Sequence, residues 1–121
     1  MNFRTLLATT ALVFVVSGVA RAAELSTATL FLFAENHFSM CSIVNISTVP
    51  QTIRIRIYDI AGGVIDDSGN VVLAPRATSL MTFRGAAHCR FTTVNAKTLF
   101  RGLISIHDGV SALMVASSPA Q

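Results

Sequence analysis

Apolar and polar residues alternate along most of this chain with the period of a strand. Over Gln51 to Tyr58, Ile53, Ile55 and Ile57 fall on one side, and Thr52, Arg54, Arg56 and Tyr58 on the other. Successive strand side chains point to opposite faces, so this reads as a half-buried antiparallel strand with its β-branched residues inward. Thr78 to Arg84 alternates Ser79, Met81 and Phe83 against Thr78, Leu80, Thr82 and Arg84, and His88 to Val94 sets Cys89 and Phe91 on one face. Met40 to Ser47 predicts a strand carrying Cys41, ended at Thr48-Val49-Pro50 because proline cannot donate to a ladder. Thr27 to Glu35 is apolar on both faces around Leu30, Phe31, Leu32 and Phe33. It predicts a strand buried between sheet and loop, or an edge strand with one apolar pair exposed as a partner surface.

Turn residues punctuate these runs. Ala61-Gly62-Gly63 and Asp66 to Asn70 flank Val64-Ile65, and Ala74-Pro75-Arg76 makes a corner after the short strand Val71 to Leu73. Asn95-Ala96-Lys97 reads as a hairpin connection into a long strand, Leu99 to Ile106. Asp108-Gly109 reads as a two-residue hairpin, from which Val110 to Ala116 returns to close the sheet without a strand from a neighbour. Ser117 to Gln121 is expected to fray. Seven to nine short strands with turns every 8–12 residues or so, and no convincing helix, predict an all-β fold. The expected architecture is an immunoglobulin-like antiparallel β-sandwich with one inter-sheet disulfide. The chain has no tryptophan, so the ring that packs on that bridge in antibody domains is missing.

The beginning of the chain is of a different kind. Arg4 precedes an apolar stretch from Leu6 to Val16, and Ala20-Arg21-Ala22 follows as a small-x-small cleavage pattern. This is the layout of a secretory signal peptide, with the cut expected between Ala22 and Ala23 and one β-sandwich domain over 23–121. The apolar run to Val19 falls short of the roughly 20 residues a spanning helix needs, so no transmembrane helix is expected after cleavage. The expected destination is the periplasm or the medium. Removing the leader takes Arg4 and Arg21 away, so the formal net charge of +3 drops to +1, seven basic residues against six acids. Nucleic-acid binding is not expected, because it wants a concentrated basic stripe.

Export also decides how the two cysteines are read. Cys41 and Cys89 are the only pair in the chain. In an oxidising compartment they predict a structural disulfide, and no C-x-x-C spacing suggests redox chemistry. The segments CSIVN (Cys41 to Asn45), Val49-Pro50, IRIYDIAG and Cys89-Arg90-Phe91 resemble a group of small exported proteobacterial proteins with no known activity. The resemblance spans most of the chain after the leader. It implies export and a stapled sandwich, and transfers no catalytic residue.

Motifs for chemistry are thin. His37, His88 and His107 lack zinc spacings, and no histidine-then-methionine completes a copper loop around Cys89, so no metal or other cofactor is expected. There is no G-x-S-x-G elbow. Ser105 and His107 share a strand face as a hydrogen-bonding pair, and a small hydrolase would need Asp59 to join them. Asp66 and Asp67 read as turn-capping acids, and Asn45-Ile46-Ser47 as a chance match to a glycosylation sequon. Arginine alone forms a pattern: Arg54 and Arg56 share a face with Tyr58, and Arg90, Arg84 or Arg101 would lie beside them on a neighbouring strand. Planar guanidinium groups suit carboxylates and phosphates, so Arg54, Arg56, Tyr58 and Arg90 form a candidate binding face for anionic glycan or lipid groups. A solvated face is the commoner reason for such residues. The expected role is non-enzymatic: an envelope structural or protein-interaction module with a protein or cell-envelope partner.

Overall fold

Every second residue is buried along the long strands, and the buried sets from two sheets meet in one core. The computed structural model describes residues 23–32 and 34–121; the predicted leader and Phe33 lie outside the described residues. Nine strands are present: β1 Ala23–Ser26, β2 His37–Asn45, β3 Gln51–Asp59, β4 Val64–Asp67, β5 Val71–Leu73, β6 Thr78–Phe83, β7 Ala87–Thr93, β8 Phe100–Asp108 and β9 Met114–Pro119. One antiparallel sheet runs β1-β7-β3-β4, with β5 also paired to β3, and the other runs β6-β2-β8-β9. The chain thus crosses between layers at β1/β2, β2/β3, β5/β6, β6/β7 and β7/β8. The expected all-β sandwich is what the chain forms.

Four strands pair as in an immunoglobulin Greek key, β2 with β6 and β3 with β7. The flanking strands are exchanged relative to that pattern, since β1 joins β7 and β8 joins β2. Ile53, Ile55 and Ile57 of β3 are at most 1% exposed, as their alternation requires. Each buried isoleucine contributes about 1.5–3 kcal/mol by transfer from water. Beside Cys89 and Phe91 of β7 in the same sheet, they face Cys41 and Ile43 of β2 and Phe100 and Ile104 of β8 in one cluster. The Cys41–Cys89 bridge crosses between the sheets with a Cα–Cα distance of 5.8 Å, and both residues are fully buried. With no tryptophan available, Phe91 and Phe100 are the largest fully buried side chains.

Four expected elements come out differently. Among the described residues of Thr27 to Glu35 there is no strand: Leu30 alone bridges, to Ala87, before the chain crosses one end of the sandwich and Asn36 accepts the Gly109 N–H at 2.9 Å. Its hydrophobicity suited a strand, but these residues must carry the chain from one sheet to the other. Asn95-Ala96-Lys97 is likewise a crossover between sheets, tightened by a 3₁₀ turn over Lys97–Leu99, and not a hairpin. The β8–β9 connection is longer than two residues, so β9 begins at Met114 and includes Ser117. The terminal residues do not fray: Ser26 and Gln121 exchange two backbone hydrogen bonds of 3.0 Å, and Ala120 donates to Gly102.

Candidate functional site

The outer face of the β1-β7-β3-β4 sheet gathers the four residues of the candidate binding face. Register places Ser26, Arg90, Arg56 and Asp67 in one row across four strands, with Arg56 directly opposite Arg90. Thr92 and Arg54 form the next row on one side, His88 and Tyr58 the row on the other. Like charges opposite one another on a sheet repel, so this row needs its carboxylates. Asp67 takes Arg54 in a two-point fork, Nε to Oδ1 at 2.8 Å and Nη2 to Oδ2 at 2.5 Å, and accepts Arg56 Nε at 3.2 Å. Glu24 meets Arg90 Nε at 3.0 Å from the far side. Arg90 also lies over the Tyr58 ring, 4.6 Å from its centroid, and His88 stacks on that ring at 5.3 Å. An exposed cation–π contact of this kind contributes about 0.5–1 kcal/mol.

The electrostatics follow from these bonds. The Arg54 hydrogen bond, helped by the Gly69 amide, holds the Asp67 carboxyl well below the usual carboxylate range. Reciprocally, Asp67 raises Arg54. Three arginines therefore stand against two carboxylates, and the face is an ion ladder with a small positive excess. Arg84 and Arg101 do not join it. They belong to the other sheet's edge and strand, where they donate to the carbonyls of Glu35 and of Phe100 and Thr98.

Asp67 and Glu24 were not legible as partners of this face. The DDSGN composition reads as a turn, yet Asp66 and Asp67 are the last residues of β4, and the chain does not reverse after them: Ser68 stays bonded to Ile55, and β5 continues along β3 in the same direction. Asp67 sits thirteen residues from Arg54, and the two-residue period of β3 followed back through the turn is the one signal that could have aligned them. Glu24 becomes visible only once β1 is placed beside β7.

On the outer face of the second sheet Ser105 and His107 do pair, with Ser105 Oγ 2.8 Å from His107 Nε2. Nδ1 of the same ring faces the Ala112 carbonyl at 3.2 Å, and a carbonyl only accepts, so Nδ1 carries the hydrogen and Nε2 accepts from Ser105. Phe38 stacks on the imidazole at 5.4 Å, and Ser105 is 2% exposed. Asp59 does not converge on them: it lies in the opposite sheet and accepts the Ala61 and Gly63 amides of the β3–β4 turn. Asp108, next in sequence to His107, accepts from Val110 and Asn36 instead, and the Val110 amide keeps its carboxyl below the usual range. No group of three or more His, Cys, Asp or Glu among the described residues could hold a metal ion, and no described helix is long and apolar enough to cross a membrane.

The sequon is explained by packing. Asn45 is fully buried; its amide donates to the carbonyls of Val49, Leu73 and Ala74, and its Oδ1 accepts from the Ser47 amide and hydroxyl.

Four large apolar side chains are exposed in loops at the end of the sandwich where β3 and β8 finish and β7 begins. Phe31 (61% exposed) adjoins the Leu30–Ala87 bridge, Ile60 (70%) follows Asp59, which pairs with Ala87, and Val110 (86%) and Leu113 (69%) flank the turn after Asp108. Three loops distant in sequence thus present large side chains at one end. No family model, no curated protein and no solved structure matches this chain.

Proposed function

We propose that the chain is an exported, disulfide-stapled β-sandwich that acts by surface contact, as a structural or interaction module of the cell envelope, and carries out no reaction. Export is read from the leader pattern and agrees with a fully buried inter-sheet disulfide. The observation that carries the contact role is the apolar end formed by Phe31, Ile60, Val110 and Leu113. Large apolar side chains gathered in exposed loops at one end of a domain support a partner site there. The partner is a protein with a complementary apolar surface. The test is co-purification from mildly solubilised envelopes, comparing the native protein with the variant I60S/V110S/L113S. A defined partner that disappears with the variant supports the reading. Unchanged recovery, or turnover of an ester, glycan or phosphate substrate, ends it.

A second reading has an observation of its own. Arg56 and Arg90 face each other; Arg56 donates only Nε to a carboxylate and Arg90 only approaches Glu24 as an ion pair through Nε, so their outer N–H groups have no acceptor among the described residues. An anionic glycan or lipid group bridging the two would relieve their repulsion. R56S/R90S should abolish salt-sensitive retention on an acidic-glycan matrix or anionic vesicles. Equal retention of variant and native protein would discard this role for the face.

A further inference from the structure

Two depressions meet at Arg101, one apolar and one basic. Alternation along β8 sends Phe100 and Gly102 into the core and Arg101 and Leu103 to the outer face of the β6-β2-β8-β9 sheet. Register sets Thr78, Val44 and Arg101 in one row, and Leu80, Ser42, Leu103 and Pro119 in the next. A depression of about 400 Å³ draws on both rows: Ser42, Thr78 and Gly102 leave it room, while Val44, Leu103 and Pro119 make it apolar. After Ala120 the chain passes to Ser26 of the other sheet, and a second depression of about 270 Å³ lies there. Lys97, Thr98 and Gln121 are its polar lining, and Arg101 borders both depressions.

Neither depression is lined by an Asp or Glu side chain, and among the described residues Lys97 and Arg101 make no ion pair. The Gln121 carbonyl oxygen is already taken by the Ser26 N–H. Arg101 donates Nη1 to the carbonyls of Phe100 at 2.8 Å and Thr98 at 3.4 Å. Those bonds hold the guanidinium in place, with Nε and Nη2 left without a partner among the described residues. The arginines of the opposite sheet differ, since Arg54, Arg56 and Arg90 each meet Asp67 or Glu24.

We propose that this is a binding site for a single-chain amphiphile with an anionic head. The head lies between Lys97 and Arg101, whose fork suits the oxygens of a carboxylate or phosphate, and the tail runs over Val44, Leu103 and Pro119. A hydrophilic anion would leave the apolar hollow empty, and an uncharged lipid would leave Arg101 unmatched. The combined space falls within the roughly 300–1,000 Å³ usual for small-ligand sites. β8 begins here and finishes at the apolar loop end, so this inference goes beyond the contact role and uses different residues.

The experiment is isothermal titration calorimetry of the purified, oxidised protein with dodecanoate kept below its micelle concentration, set against butanoate and dodecyltrimethylammonium. Dodecanoate should bind one to one in the micromolar range, and the other two at least tenfold more weakly. Arg101→Ser and Leu103→Ser should each weaken dodecanoate binding at least tenfold while keeping the native circular dichroism spectrum, and R56S/R90S should leave it unchanged. If Leu103→Ser perturbs folding, Arg101→Ser decides alone. The absence of saturable dodecanoate binding overturns the proposal, as does equal affinity for the cationic amphiphile or indifference to Arg101→Ser. Loss of binding in R56S/R90S overturns it too, by moving the ligand to the opposite sheet. Each of these failures would leave the contact role of Ile60, Val110 and Leu113 standing.

Discussion

Phe91 lies flat against the backbone of Gly102, so close that a Cβ added to the glycine would sit 2.8 Å from two ring carbons. The ring belongs to β7 and the glycine to β8, in opposite sheets. One of the two largest buried rings of the core therefore fits between the layers because one facing position has no side chain. Replacing Gly102 by alanine forces the ring or the sheet spacing to give. Overpacking of this kind costs about 1–3 kcal/mol. Urea unfolding of Gly102→Ala should show the midpoint falling with an unchanged slope; a midpoint equal to that of the native protein would mean the layers separate freely.

Asn45 offers a second test. Its side chain, fully buried, joins the end of β2 to the Val49 loop and to the carbonyls of Leu73 and Ala74. Asn45→Ala leaves those carbonyls without their donor, each at a cost of about 1–3 kcal/mol where water cannot replace it. The variant should unfold at a clearly lower urea concentration than the native protein. Asn45 should also stay unmodified on material folded before exposure to a glycosylating system, since no part of it reaches solvent.

What was legible in the chain was whatever two-residue periodicity controls. Ile53, Ile55 and Ile57 disclosed β3 and its inward face, and Cys41 with Cys89, the two cysteines of the chain, disclosed the staple. The Ser105–His107 pair followed from strand parity alone. Crossings between sheets were not legible. The stretch from Thr27 is as apolar as a strand, yet it spans one end, and nothing local distinguishes the two fates. Gly109 shows the same limit at one residue. Asp108-Gly109 reads locally as a hairpin pair, but a Cβ at Gly109 would collide with the Asn36 carbonyl oxygen, so a long-range approach demands the glycine. Likewise Arg54, Arg56, Tyr58 and Arg90 were grouped from sequence, while the carboxylates that neutralise them came from strands whose neighbours only the fold supplies.

The disulfide should carry much of the stability. Closing a loop across 48 positions constrains the unfolded chain by roughly 4 kcal/mol in the chain-entropy model. Cys41→Ala with Cys89→Ala is expected to lower the unfolding free energy by about 2–5 kcal/mol. The native protein unfolded in the presence of a reductant should match the double variant. A native protein whose unfolding ignores reductant would show that the bridge is dispensable to the sandwich.

Asp67 makes the arginine face sensitive to acid. Its carboxyl is held low first by the Arg54 hydrogen bond and then by the Gly69 amide, so the folded state prefers it ionised more strongly than the unfolded chain does. A carboxylate whose folded pKa is depressed contributes stability that is complete above its ordinary range, near pH 4, and is lost as pH falls through the lowered folded value. Asp67→Asn removes the charge at every pH. The melting temperature of the native protein should therefore exceed that of Asp67→Asn at neutral pH, with the gap shrinking steadily below about pH 4. Salt should narrow the neutral-pH gap too, because Arg54 and Asp67 are about one-third exposed, at 34% and 29%. A gap of constant size from pH 7 to pH 2 would place the stabilising effect of Asp67 outside its charge, in the shape of the β4 turn.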